Sequence, residues 1–416
     1  MNKLKSYPSA QQAQPGQIND TGIRPEKELL LCCARTVIDE GTADRIQILL
    51  RQAIDWSYLI DNAVHHRVVP LLYLTLRQSY PGIAPKEILQ ELEHHYRANV
   101  RRNLYLTVEL IKLIDWLKTS HQIAVIPYKG PALAMIAYGN LSLRQFGDLD
   151  ILVHQRDYLT IRDLLLAQGY RLAADWGWEC SLVDDTRRVC IDLHRGIAPE
   201  EFPTHLSFGC LQEHLEAAPV PGGRINTPCP EDMLIMLCIQ LTKDAWEGSL
   251  RLSKICDIAE LLRARPNLNW EAVFKEARKL GCQRMLFLGL SVAHKLLGAP
   301  VPESLSRSRA YPHSSALTAH IYQRLILEAG CSYPTQLSRA HFHFKMRERW
   351  RDKIYPYYHR CKVLMTPNER DKALLPLLPF LSFFYYGIRP LRLLRDYGLS
   401  VVKILRTKWV TWNRRH

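Results

Sequence analysis

The stretch RQFGDLDILV, Arg144 to Val153, decides how the rest of the chain is read. Leu149, Ile151 and Val153 alternate with Asp148, Asp150 and Leu152. A period of two marks a β-strand, whose successive side chains point to opposite faces. Asp148 and Asp150 therefore share a face, roughly 7 Å apart. Two acids on one face of an apolar strand either meet solvent at a strand end or hold a cation. Divalent ions such as Mg²⁺ take hard oxygen ligands held close together. Two-metal phosphoryl chemistry places its ions roughly 3.5–4 Å apart between carboxylates.

The surrounding sequence supports a strand. CIDLH, 190–194, is a second apolar strand with Asp192 between Ile191 and Leu193. If it neighbours the first, three carboxylates converge, and three anions repel unless a cation neutralises them. Upstream, IAVIP reads as a short strand and KGPALAMIAYG as a helix. Pro131 falls near that helix's first turn and Gly139 after its end, where each is tolerated. Lys129-Gly130 then lies at a strand-to-helix junction, whose backbone N–H groups suit a phosphate. RDYLTIRDLLLAQG is a further helix, and YRLAA and RRVCIDLH are further strands. The expected fold class is α+β, a small mixed sheet flanked by helical N- and C-terminal regions.

The flanks carry apolar residues at three- and four-residue spacing, as in ADRIQILLRQAI, LYLTVELIKLIDWL and LRLSKICDIAELLRA. Expected divisions are a disordered lead-in at 1–25, a helical region at 26–118, the α/β core at 119–220, a helical domain at 229–330 and a tail at 339–416. VPGGRINTPCPED, from Val220, reads as the linker before the second helical domain. One echo joins the flanks: Trp56, Ala63, Leu72, Tyr73, Leu74 and Leu76 recur as Trp270, Ala277, Leu286, Phe287, Leu288 and Leu290, at a constant offset of 214. Either similar helical modules flank the core, or apolar patterns coincide.

Charge is unevenly placed. Residues 339–416 hold 18 Lys/Arg against 5 Asp/Glu, while the remaining 338 hold 37 against 36. The neutral body argues against nucleic acid as the partner. The tail has a basic amphipathic pattern from Ile388 to Leu405, which suits an anionic membrane surface, a protein partner or docking on the chain itself. The 11 cysteines are scattered and never spaced as CxxC, which argues for reduced thiols and against zinc or a disulfide framework. No apolar window is long enough for a membrane span. The N-terminus lacks a secretory signal's apolar core. The expected location is cytoplasmic, with the tail a candidate for peripheral attachment at the inner membrane face.

A glycine turn at a helix start, Asp-x-Asp on a strand and a later Asp on a strand resemble the nucleotidyltransferase superfamily of DNA polymerase β and the aminoglycoside nucleotidyltransferases. YKGPALA, LRQFGDLDILV and IDLHRG are closest to an uncharacterised bacterial nucleotidyltransferase-like family, over roughly residues 50–300. The resemblance implies an NTP donor, Mg²⁺ (two ions) on Asp148, Asp150 and Asp192, and Asp192 as the candidate proton acceptor. It also implies release of pyrophosphate and phosphate contacts from Lys129, Gly130, Arg144 and His194. Lys243, Trp246 and Asp257 sit where that family has polar residues in its helical part, which implies an acceptor pocket. The bland readings are a surface Lys129, an Arg144 that is solvated or a counter-charge to the acids, a buried His194, and simple packing for Lys243 and Trp246. Pro131 departs from the superfamily's Gly-Gly or Gly-Ser turn and removes one N–H from the phosphate cradle. The acceptor is unreadable. The leading reading is a Mg²⁺-dependent nucleotidyltransferase. The alternatives are a non-catalytic nucleotide- or partner-binding relative and a metal-dependent phosphotransferase.

Overall fold

The strand expected at DLDILV forms as β2, Leu149–Val153, and all five residues are buried. In the computed structural model, residues 23–199, 206–247, 250–302 and shorter pieces between 317 and 395 are described. A strand buried on both faces belongs inside a sheet. β2 pairs antiparallel with β1 (Val125–Pro127) and parallel with β5 (Val189–His194). β4 (Glu179–Asp184) and β3 (Arg171–Asp175) complete a mixed five-stranded sheet of order β1-β2-β5-β4-β3. The parallel register sets Asp150 opposite Asp192 and Leu152 opposite His194. Asp148 lies one residue before β2.

Among the described residues, five helices precede the sheet: α1 (Pro25–Cys33), α2 (Glu40–Leu50), α3 (Trp56–His65), α4 (Val69–Ser79) and α5 (Lys86–His121). α6 (Gly130–Tyr138) follows β1 and ends at Gly139, as its sequence predicts. α7 (Tyr158–Ala167) packs on β4 and β5, and the short α8 (Phe208–Gln212) follows β5. Further along come α9 (Pro230–Glu247), α10 (Leu252–Ala264), α11 (Trp270–Leu280) and α12 (Gln283–Leu297). The chain is therefore α+β, as expected.

The stretch read as a linker is a β-hairpin instead. β6 (Leu215–Val220) and β7 (Gly223–Pro228) pair antiparallel around Pro221-Gly222, and Gly222 has φ +94°. Pro-Gly is strong hairpin chemistry, and Ile225 alternates with exposed neighbours. Its turn residues were mistaken for those of a flexible connection.

The offset-214 echo extends well beyond the matching residues. α1 and α9 end 214 residues apart, as do α2 and α10, and α3/α11 and α4/α12 start at that interval. Asp55 caps α3 by accepting from Tyr58 N, and Asn269 caps α11 by accepting from Ala272 N, again 214 apart. α1 packs on α2, α3 and α4, and α9 packs on α10, α11 and α12. Two copies of one four-helix plan flank the sheet segment.

Residues 349–416 form a separate unit. Within it α13 spans Trp350–Met365, and Asp371, wholly buried, receives Arg389 Nη1 at 3.1 Å and Arg392 Nε at 2.6 Å. Most of the basic amphipathic segment expected from Ile388 onward lies outside the described residues. No helix among the described residues is long and apolar enough to cross a membrane. The described cysteines are all free thiols.

The second module is tightest where α12 crosses α9. A Cβ on Gly289 would lie 2.5 Å from Cys238 Sγ and 2.9 Å from its Cβ. Gly289→Ala should therefore cost about 1–3 kcal/mol through overpacking, read as a lower denaturant midpoint at unchanged slope.

Candidate functional site

The sheet and the second helical module enclose a cavity of about 320 Å³. Asp148, Asp150, Asp192, Lys129, Arg144, His194, Lys243 and Asp257 all line it. Gly130 does not line the cavity; it shapes the turn beside it. Its φ is +52°, in the left-handed region, and a Cβ there would lie 3.7 Å from the Asp148 carbonyl oxygen. Trp246 belongs to α9, but its side chain lies outside the described residues.

Asp150 and Asp192 face each other across neighbouring strands at the sheet side. Burial and the nearby Asp150 charge push the Asp192 carboxyl up to about 6, against a hydrogen bond from Ser181 Oγ at 2.5 Å. Burial acts the same way on Asp150, but Lys129 and His194 outweigh it and hold that carboxyl well below the usual range. Lys129 Nζ donates to Asp150 Oδ1 at 2.9 Å. Burial disfavours the Lys129 ammonium, yet the Asp150 charge raises it above its ordinary value. The surface reading of Lys129 is set aside by this pair.

His194 is 4% exposed, between Asp150 Oδ1 at 3.3 Å and Glu179 Oε2 at 3.4 Å. Neither approach has hydrogen-bond geometry, so both ring nitrogens are buried without a hydrogen bond. Tyr128 and Trp178 pack against the ring. It is a buried histidine that also borders the cavity.

Arg144 is not solvated; its direct partner is Asp257, and the Asp150 charge acts on it without an ion pair. Its Nε and Nη2 reach both oxygens of Asp257 at 2.8 and 3.0 Å, and Tyr138 OH adds a third bond at 2.8 Å. Asp257, expected at the acceptor pocket, spends its carboxylate on this pair. Arg144 Nη1 is left buried with no partner at the cavity wall. Lys243 lies 5.0 Å from the Trp178 ring centroid and 4.0 Å from Asp244 Oδ1.

Among the described residues, no three His, Cys, Asp or Glu side chains are placed to hold a metal ion together. Asp150 Oδ1 accepts from Lys129 and lies 3.3 Å from His194 Nε2, and Asp192 Oδ1 accepts from Ser181 and Cys190. The donor chemistry nevertheless fits a hard divalent cation. Oδ2 of each carboxylate has no partner among the described residues, and the two acids stand level on neighbouring strands.

Sequence reading missed Arg67, Gln145, Glu179, Arg251 and Lys254, which also line the cavity. They come from four separate segments; Gln145 stands inside LRQFGDLDILV without a role assigned to it, and the other four lie outside the three motifs that carry the resemblance.

The chain belongs to the uncharacterised nucleotidyltransferase family, whose sequence profile matches residues 52–298. No curated protein matches it. Among solved structures it is similar to the antibiotic-resistance factor ANT(2'')-Ia at 13% identity, over 46% of this chain and 98% of that one, with TM-score 0.33. It is also similar to an antigenic nucleotidyltransferase-like protein from Paracoccidioides brasiliensis at 16% identity, over 50% and 97%, with TM-score 0.31. Membership of the family supports nucleotidyl transfer.

The Arg144–Asp257 pair is 10% and 5% exposed. Asp257→Ala should lower stability by about 3–5 kcal/mol, because the guanidinium stays buried without its partner. Tyr138→Phe removes one hydrogen bond to the same carboxylate and should cost only about 1–3 kcal/mol. Equilibrium denaturation of both variants checks the order.

Proposed function

We propose that this family member moves a nucleoside monophosphate from an NTP to a small-molecule or protein acceptor, with Mg²⁺, and releases pyrophosphate. The observation that carries this reading is the level pairing of Asp150 and Asp192 on neighbouring parallel strands, inside a cavity that also gathers cations. Asp150 and Asp192 would hold Mg²⁺, with Asp148 beside them. When bound, the ion neutralises triphosphate charge and makes the α-phosphorus a better electrophile.

The chain's own residues supply the rest. Asp192 takes the proton from the attacking hydroxyl or amine. Lys129 and the unpaired Nη1 of Arg144 offset negative charge on the phosphoryl oxygens. His194 orients Asp150. Lys243 and Asp257 border the acceptor side, and Trp246 joins them on the sequence reading alone. Most of the rate comes from holding donor and acceptor in line.

One contact favours a second reading. Lys129 already places an ammonium on Asp150, where a cation would otherwise sit. In a non-catalytic nucleotide-binding relative that ion pair would be permanent.

Incubation with Mg²⁺, a metabolite extract and ATP labelled at the α- or γ-phosphate separates these readings. Transfer of α-label is expected, falling at least about 10²-fold in Asp150→Asn. Transfer of γ-label alone would make the protein a phosphotransferase. No transfer, with nucleotide binding indifferent to Mg²⁺, would favour the binding relative.

A further inference from the structure

Arg67 occupies a position that its backbone would give to glycine. α3 ends in a left-handed turn at Arg67, φ +56°. There Arg67 N donates to Val64 O at 3.1 Å and Val68 N to Ala63 O at 2.9 Å. This pairing closes a helix through a left-handed residue, usually glycine, because a side chain there is strained. The second module contains the same turn 214 residues on. Gly281 N donates to Arg278 O at 3.2 Å and Cys282 N to Ala277 O at 2.9 Å, and the left-handed residue is Gly281, φ +74°. The two copies share the turn and differ in the residue that makes it. The copy with arginine sends that residue to the cavity wall. A strained residue kept at a cavity points to a use for its side chain.

A clamp brings Arg67 to a second arginine. Ser253 N donates to His66 O at 3.1 Å, which fixes the α3–α4 turn to the start of α10. Arg251 is the N-cap residue of that helix and also lines the cavity. Neither guanidinium has a hydrogen bond or ion pair among the described residues. Burial and the facing Arg251 charge both lower the Arg67 guanidinium from its ordinary value. The Asp148 and Asp150 charges act the other way on Arg67 without outweighing burial, so two like charges share this wall with no carboxylate ion-paired to either. The same wall carries buried polar atoms with no hydrogen bond, Arg144 Nη1 and Gln145 Oε1.

We infer that Arg67 and Arg251 form a phosphate subsite of this cavity, gripping the terminal phosphates of the donor or a phosphate carried by the acceptor. The inference rests on the nucleotidyl-transfer reading for the ligand's identity. Guanidinium pairs match phosphoryl oxygens in geometry and charge. Side chains here do what the Gly130-Pro131 turn does poorly, since Pro131 lacks one N–H. The subsite joins the N-terminal module to the reaction site, which the sequence motifs alone do not.

Metal-free calorimetry with inorganic tripolyphosphate tests the subsite without depending on catalysis. Arg67→Gly should keep or raise the melting temperature, as Gly281 does the same backbone job, and should weaken tripolyphosphate binding about tenfold or more. Arg251→Gln should weaken it similarly, and the double variant should lose less than the product of the two. Unchanged affinity in the folded single variants would overturn the inference. A non-hydrolysable NTP analogue sets the source. Competition with tripolyphosphate assigns the donor's phosphates, and simultaneous binding assigns a phosphate on the acceptor. Failure of the α-label assay with tripolyphosphate still bound through both arginines would sink the transferase reading and leave the subsite standing.

Discussion

Two carboxylates placed level on adjacent strands constrain everything around them. Neighbouring strands lie about 4.8 Å apart, and both Asp150 and Asp192 are largely withdrawn from water. Like charges that close cannot both ionise freely. The sheet resolves the conflict unequally, with Lys129 and His194 on Asp150 and only neutral Ser181 and Cys190 on Asp192. Placing Lys129 on Asp150 requires the chain to turn beside the Asp148 carbonyl, which the left-handed Gly130 permits. The local geometry of β1, its turn and α6 follows from this one electrostatic demand.

The Arg144–Asp257 pair extends the constraint to the helices. Arg144 lies on the segment leading into β2, and Asp257 lies on α10. A buried bidentate pair costs much to break and holds its two segments in one arrangement. That arrangement brings α10, and with it Arg251 and Lys254, to the cavity beside the strand acids. The site is therefore a product of three chain regions: the α3–α4 turn, the sheet and the second helical module.

Legibility in the sequence followed the range of the interaction. Asp150 and Asp192 were readable because a period-two strand fixes side-chain direction locally, whereas Asp148 reaches the cavity from just before β2. α6 was readable from Pro131 and Gly139, and CIDLH as a strand, but its parallel pairing with β2 was not. β4 was missed, since its sequence ECSLVD pairs polar residues with a half-buried face. The β6–β7 hairpin was misread because Pro-Gly signals a turn without saying whether strands flank it. Arg144 was singled out, but its partner lies 113 residues away and no local pattern names it. Arg67, Arg251 and Lys254 reach the cavity only through packing between modules.

The repeated module shows where such long-range information can still be recovered. Matching apolar residues at the offset of 214 record a shared packing plan, since cores tolerate Tyr73 for Phe287 or Leu71 for Met285. Shared packing cannot explain Arg67 opposite Gly281, because the turn itself asks for glycine in both copies. A left-handed L-residue costs roughly 1–2 kcal/mol, so packing alone would drift toward the residue that relieves it. The asymmetry marks what the first copy does that the second does not. It presents a charge to a cavity from a backbone position that resists carrying one. Pro131 marks the complementary change, a backbone donor lost at the turn where a phosphate cradle would stand. On the proposed reading, the two departures move phosphate recognition from main-chain N–H groups to guanidinium side chains on the helical wall.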